Sequence, residues 1–117
     1  MPDFDLATVD RLLSTTRAVR RRLDPSRPVP RSLVLECIRL SQQAPTASNT
    51  QTWRWLVVDD AAKRRELGAI YAQGIPAIHA SAPQVGQDAQ TRRVYEGALW
   101  MAEHLGEMPA LVVPCVV

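Results

Sequence analysis

A chain of 117 residues is one domain's worth of polypeptide, able to bury about two-thirds of its unfolded surface around a single core. Its 46% hydrophobic and 22% charged residues exclude disordered, collagen-like and coiled-coil classes. The net charge of +2 is unevenly spread, because seven arginines and one acid, Asp24, fall between Arg11 and Arg31, leaving +6 there and −4 elsewhere. A short arginine-dense stretch in a near-neutral chain suits a small anion rather than nucleic acid, since long polyanions demand an extended basic face.

From residue 5 to about 19, Leu6, Val9, Leu12 and Leu13 recur at helical spacing, with Asp5 or Thr8 available as the cap. This helix runs into the arginines and must end before Pro25, Pro28 and Pro30, which remove backbone donors and force an extended or turning link. Pro30 suits the first turn of a second helix over 31–43, whose Val34, Cys37, Ile38 and Ser41 share a core-facing side beside Leu33 and Leu40. The small polar run APTASNTQTW that follows reads as a loop. Trp53 to Val58 then has the β-branched and aromatic content of a strand buried on at least one face. Asp60 caps a helix through Ala72, stopped by Gly74, and the acids at 59 and 60 need no role beyond capping. Residues 75–87, with two prolines and a glycine, read as irregular or turn-rich, followed by a helix from Asp88 to about Gly106. ALVVPCVV is expected to be a buried strand, and a chain ending inside such a strand looks cut short. Helices flanking too few strands to complete a sheet describe a layered α/β or α+β domain.

Several chemistries are excluded. The sequence has no GxGxxG, P-loop or GxSxG pattern, so the usual dinucleotide, nucleotide and serine-hydrolase signatures are absent. His79 and His104 have no ligand spacing with a Cys or an acid, and no HExxH or CxxC occurs, which argues against a metal site. Cys37 and Cys115 lie far apart in apolar runs and are expected to be reduced core thiols. The longest apolar stretch, 108–117, is about half of what a bilayer span requires, so no membrane association is expected. The N-terminus is acidic where a secretory signal would be basic, which makes the cytoplasm the simplest address.

Two segments can carry chemistry. In TTRAVRRR, Arg17 and Arg20 sit three apart and, at a helix end, can converge on one anion with planar donors that match phosphate oxygens. The same pattern fits a solvated cationic helix end favourable to the macrodipole. In Ala44 to Gln51, short hydroxyl and amide side chains leave the backbone open to close approach by a flat heterocycle, or form an ordinary helix-to-strand connection.

In combination these residues resemble the nitroreductase family of FMN-dependent oxidoreductases, whose hallmark is R-[SA]-x-R, a proline-bearing link, a helix, and APSxxNxQPW leading into a strand. The resemblance is close from Thr15 to about Leu67, and MPALVVPCV resembles the family's next strand. It implies an α+β fold in which residues 1–117 form the N-terminal portion of a nitroreductase-like domain, the C-terminal half being absent. It further implies a homodimer, an FMN at the subunit interface, NAD(P)H as reductant, and a nitroaromatic, quinone or similar small-molecule acceptor. By the same resemblance Arg17 faces the FMN phosphate and ribityl end, Ala18 is among the cofactor-binding residues, and Arg20 lies at the pyrimidine edge, where a guanidinium stabilises the anionic reduced ring. Pro45, Thr46, Ala47 and Asn49 lie against the flavin, often from the other subunit, while Gln51 and Trp53 brace the loop. No side chain is required as a nucleophile. The sequence departs from the family pattern at Thr16, Ala18, Arg22, Thr46 and Thr52, and Arg22 must snorkel or face solvent where an aromatic usually packs. The alternatives are a non-catalytic remnant of that fold with little flavin binding, and a small anion- or nucleic-acid-binding module built on Arg17 to Arg22.

Overall fold

The computed structural model describes residues 3–81 and 88–117. Among these, helices α1 (Leu6–Thr15) and α2 (Arg31–Ser41) precede strand β1 (Trp53–Val58). Helices α3 (Ala61–Ala72), α4 (Ile75–Ser81) and α5 (Ala89–His104) follow, then a 3-10 turn, Leu105–Glu107, and strand β2 (Leu111–Val116). The two strands pair antiparallel, Trp53 opposite Val116 through Val58 opposite Leu111. The fold is α+β.

Helix starts follow the acids. Asp5, Asp60 and Asp88 are the N-caps of α1, α3 and α5, each carboxylate accepting from backbone N–H groups of the first turn. Asp59, beside Asp60, has a different partner: Arg31 at the start of α2 donates to it over 2.9 Å, tying that helix to the end of β1.

α1 ends at Thr15 rather than near Val19. Three consecutive hydroxylic residues account for this, because Thr15 and Thr16 donate from their side chains to the carbonyls of Arg11 and Leu12 at 2.6 Å each, competing with further helical turns. Thr16 is already extended (φ −60°, ψ 127°), so the arginines follow in non-helical backbone and the helical-face argument for Arg17 and Arg20 does not hold. α2 likewise stops at Ser41, short of residue 43.

Residues 75–81 are helical, not irregular. Pro76 is tolerated because it falls in the first turn, where no N–H is needed, and the Ile78 N–H donates to the Gly74 carbonyl at 3.1 Å. The Tyr95 hydroxyl of α5 donates to the Ile78 carbonyl, joining α4 to α5. The expectation for 82–87 lies outside the described residues.

The centre of packing lies between α3, α5 and the 105–107 turn. Arg64 of α3 donates to the Met108 carbonyl, and a Cβ at Gly68 would come within 2.6 Å of the Gly106 nitrogen, so only glycine permits that approach. Val34, Ala102 and Met108 are the buried hydrophobic side chains among the described residues. The strands, expected to be buried, instead alternate between half-buried and exposed positions, because helices cover them only in part. Cys37 is exposed and Cys115 half-buried, both free thiols, so neither is a core thiol. On the face of α2 meant for the core only Val34 is buried, while Leu33 and Leu40 are exposed.

Pro114 sits inside β2 at no cost to the pair. The Val117 N–H donates to the Thr52 carbonyl at 3.0 Å, so N–H groups at 117, 115 and 113 point toward β1 and the position of Pro114 faces the free edge.

Candidate functional site

Residues 16–20 leave α1 in non-helical backbone and turn at 21–22, with residues 17–22 lying across α5. They line a hollow of about 340 Å³ that contains Arg17, Ala18 and Arg20, three of the residues expected to bind cofactor. Arg17 is exposed, its Nη1 donating to the Thr16 carbonyl at 2.7 Å, and Arg20 is half-buried. Arg22 borders the same hollow and is exposed. Arg21 is paired with Glu96 of α5, Nη2 to Oε2 3.8 Å.

Among the described residues no carboxylate lies within ion-pair distance of Arg17, Arg20 or Arg22. Guanidiniums gathered without acids repel one another, and that repulsion becomes attraction when an anion enters. The donor set is that of a phosphate or carboxylate site, with planar N–H forks and no competing acceptor.

The second segment is a tight, strained loop. Thr46 is extended, a 3-10 turn follows over Ala47–Asn49, and Ser48, Asn49 and Gln51 all have positive φ (52°, 53° and 47°). Left-handed backbone costs a non-glycine residue roughly 1–2 kcal/mol, less for Asn. Local bonds hold it: Asn49 N–H to the Thr46 carbonyl (3.0 Å), Gln51 N–H to Thr46 Oγ1 (3.2 Å) and Gln51 Nε2 to Asn49 Oδ1 (2.7 Å). Thr46 is thus the hub of the turn, and Gln51 fastens its exit to Asn49. Pro45, Ala47 and Asn49 are exposed.

The structure does not bring the two segments together within one chain, since the hollow's lining includes none of residues 44–51. It adds residues that sequence reasoning missed. Gln90, Arg93, Val94 and Gly97 of α5 form the wall opposite the arginine segment. Their spacing of 3, 1 and 3 is a helical stripe, but one with a single apolar member, so a search for apolar periodicity passes over it.

Asp88, which caps this wall, has its carboxyl held below the usual range by the Thr91 hydroxyl and the Thr91 and Gln90 N–H groups. Asp24, in the turn beyond the arginines, is held low by the hydroxyl and N–H of Ser26. Among the described residues no group of three or more His, Cys, Asp or Glu could hold a metal ion, and no helix is long and apolar enough to cross a membrane.

Helices around a small antiparallel sheet, with a basic hollow on one side whose lining holds no acid, define an α+β protein. The family model described as "Nitroreductase family" matches residues 13–115, and the chain belongs to the nitroreductase family. Membership carries a flavin oxidoreductase kind of function. A search of curated proteins returns no match.

Proposed function

We propose that the protein binds FMN and uses it to pass hydride from NAD(P)H to a nitroaromatic, quinone or similar small acceptor, as a homodimer. The observation that carries this reading is the hollow lined by Arg17, Arg20 and Arg22 with no acid in its lining, in a chain of this family. The residues present fit the group, because a phosphate monoester needs the planar cationic donors that the hollow offers. When bound, the flavin supplies the hydride chemistry.

The chain's own residues bind and orient. Arg17 and the small Ala18 receive the phosphate and ribityl end, and Arg20, its stem lying against α5, presents a fixed positive charge to the pyrimidine edge. Pro45, Thr46, Ala47 and Asn49 supply a rigid, low-bulk surface for the ring, whose strained turn keeps its shape because Thr46 and Gln51 brace it. Hollow and loop share no lining within one chain, which supports a site assembled from the hollow of one copy and the loop of another. No side chain acts as a nucleophile in this scheme, and the protein's contribution is position and field.

Titrating the chain with FMN, followed by quenching of flavin fluorescence, tests the reading. Arg17→Ala and Arg20→Ala should each weaken binding by about 10- to 100-fold, the worth of one hydrogen bond to a charged group. Wild-type protein with FMN bound should oxidise NADPH or NADH in the presence of a quinone. A folded wild-type chain that retains no flavin would instead be a non-catalytic member of the fold.

A further inference from the structure

The arginine hollow has a second cationic wall. Gln90, Arg93, Val94 and Gly97 face residues 17–22 from successive turns of α5. The stem of Arg20 lies against α5 at buried Gly97, where a Cβ would make ordinary van der Waals contact with it, 3.6 Å from Arg20 Cδ and 4.0 Å from Arg20 Cβ. One turn from Arg93 toward the C-terminus, Glu96 engages Arg21 and leaves Arg93 alone: among the described residues no carboxylate lies within ion-pair distance of it.

Arg93 therefore adds a fourth acid-free guanidinium, from a different element, to Arg17, Arg20 and Arg22 around one hollow. On α5 this is unfavourable in isolation, as like charges repel, and it becomes favourable when a dianion sits between the two walls. A phosphate monoester carries about −1.5 to −2 at neutral pH and exposes three terminal oxygens, more than one guanidinium fork can satisfy. We propose that Arg93, with Gln90 one helical turn away, is a second-wall ligand of the flavin phosphate and makes the site select phosphorylated over unphosphorylated flavin. The inference rests on the flavin reading, which by itself assigns no role to α5.

The test compares FMN with riboflavin, which has the same ring and ribityl chain but no phosphate. Both are titrated against the wild-type chain, Arg93→Gln, Arg93→Lys and, as a control on another helix, the exposed Arg65→Gln, with far-UV circular dichroism confirming that each is folded. Arg93→Gln should weaken FMN by about 10-fold or more and leave riboflavin within about twofold, as expected for loss of a charge-assisted bond to phosphate alone. Arg93→Lys, which keeps the charge but not the fork, should fall between wild type and Arg93→Gln. Inorganic phosphate should compete with FMN for the wild-type chain and should not compete with riboflavin, which carries no phosphate. Arg65→Gln should match the wild type. FMN affinity unchanged in Arg93→Gln, or equal losses for FMN and riboflavin, would overturn the inference while leaving the flavin reading intact. A wild-type chain that binds neither flavin would overturn both.

Discussion

At the scale of single residues, the most exacting contact is between two glycines. Gly68, buried in α3, faces the backbone of Gly106, and a Cβ at Gly106 would itself lie 3.1 Å from Arg65 Cα and 3.2 Å from the Arg64 carbonyl oxygen. Both obstacles are main chain, which cannot swing aside as a flexible side chain would, so helix and turn must separate to admit even one methyl group. The nearby bond from Arg64 to the Met108 carbonyl depends on the same spacing. Gly68→Ala should therefore destabilise the fold by roughly 1–3 kcal/mol through overpacking, despite the better helix propensity of alanine. Thermal unfolding followed by circular dichroism should show a midpoint lowered by about 5–20 °C. An unchanged midpoint would mean that α3 and the 105–107 turn do not pack this closely.

At the scale of elements, three of the helices begin on aspartate caps, and this sets the response to acid. The carboxyl of Asp5 is lowered chiefly by the Thr8 hydroxyl, that of Asp60 by the Lys63 N–H and that of Asp88 by the Thr91 hydroxyl. In the unfolded chain each returns to about 4, so in the interval below that value the unfolded state binds more protons than the folded one. The stabilisation is fully present above about pH 4 and is lost as pH falls through the lowered folded values. Asp24 and Glu36, also lowered, add to the same acid limb. Replacing Asp60 and Asp88 by Asn, which caps without titrating, should leave stability near neutrality almost unchanged and make its decline below about pH 4 shallower. Denaturant unfolding at pH 7, 5 and 3 would show this, and an unaltered acid limb would refute it. These elements were also the legible ones. Asp60 and Asp88 announce helices, Trp53 to Val58 announces a strand, and each lies where the sequence places it because cap chemistry and β-branching act locally. The end of α1 was misread because Ser14, Thr15 and Thr16 compete for carbonyls, a signal that apolar periodicity does not register. Arg17 and Arg20 are singled out by a helical spacing that the early end of α1 removes; they line the hollow, as Arg93 does, because of how residues 17–22 cross α5, which spacing in the sequence does not encode.

At the scale of the whole molecule, the surface is larger than a compact monomer of this mass exposes. It exposes 9419 Å², whereas a folded monomer of 13.0 kDa exposes about 6,300 Å². The radius of gyration is 17.3 Å against about 13 Å for a compact domain of this length. The excess, about 3,000 Å², is well beyond the roughly 800 Å² per partner of a standard interface and falls in the range of obligate assemblies. Much of it is apolar and organised. α1 has no buried residue, yet Leu6, Leu12 and Leu13 form its stripe at 65–71% exposure, with Phe4 just before it. Further apolar hollows flank the sheet, one between α2, Trp55 and Val112, the other between α3 and residues 111–114. In the proposed homodimer a second copy covers such surface and delivers a loop to each arginine hollow, so that reading predicts that assembly and flavin retention are coupled. Sedimentation of the wild-type chain at micromolar concentration should give twice the monomer mass. Leu12→Asp places a charge on the stripe of a helix whose residues are all exposed, so the monomer should remain folded while the dimer dissociates. FMN affinity should fall with it, although Leu12 lies outside the lining of the hollow. A monomeric wild-type chain with undiminished FMN binding would separate the two events and place the whole flavin site within one copy.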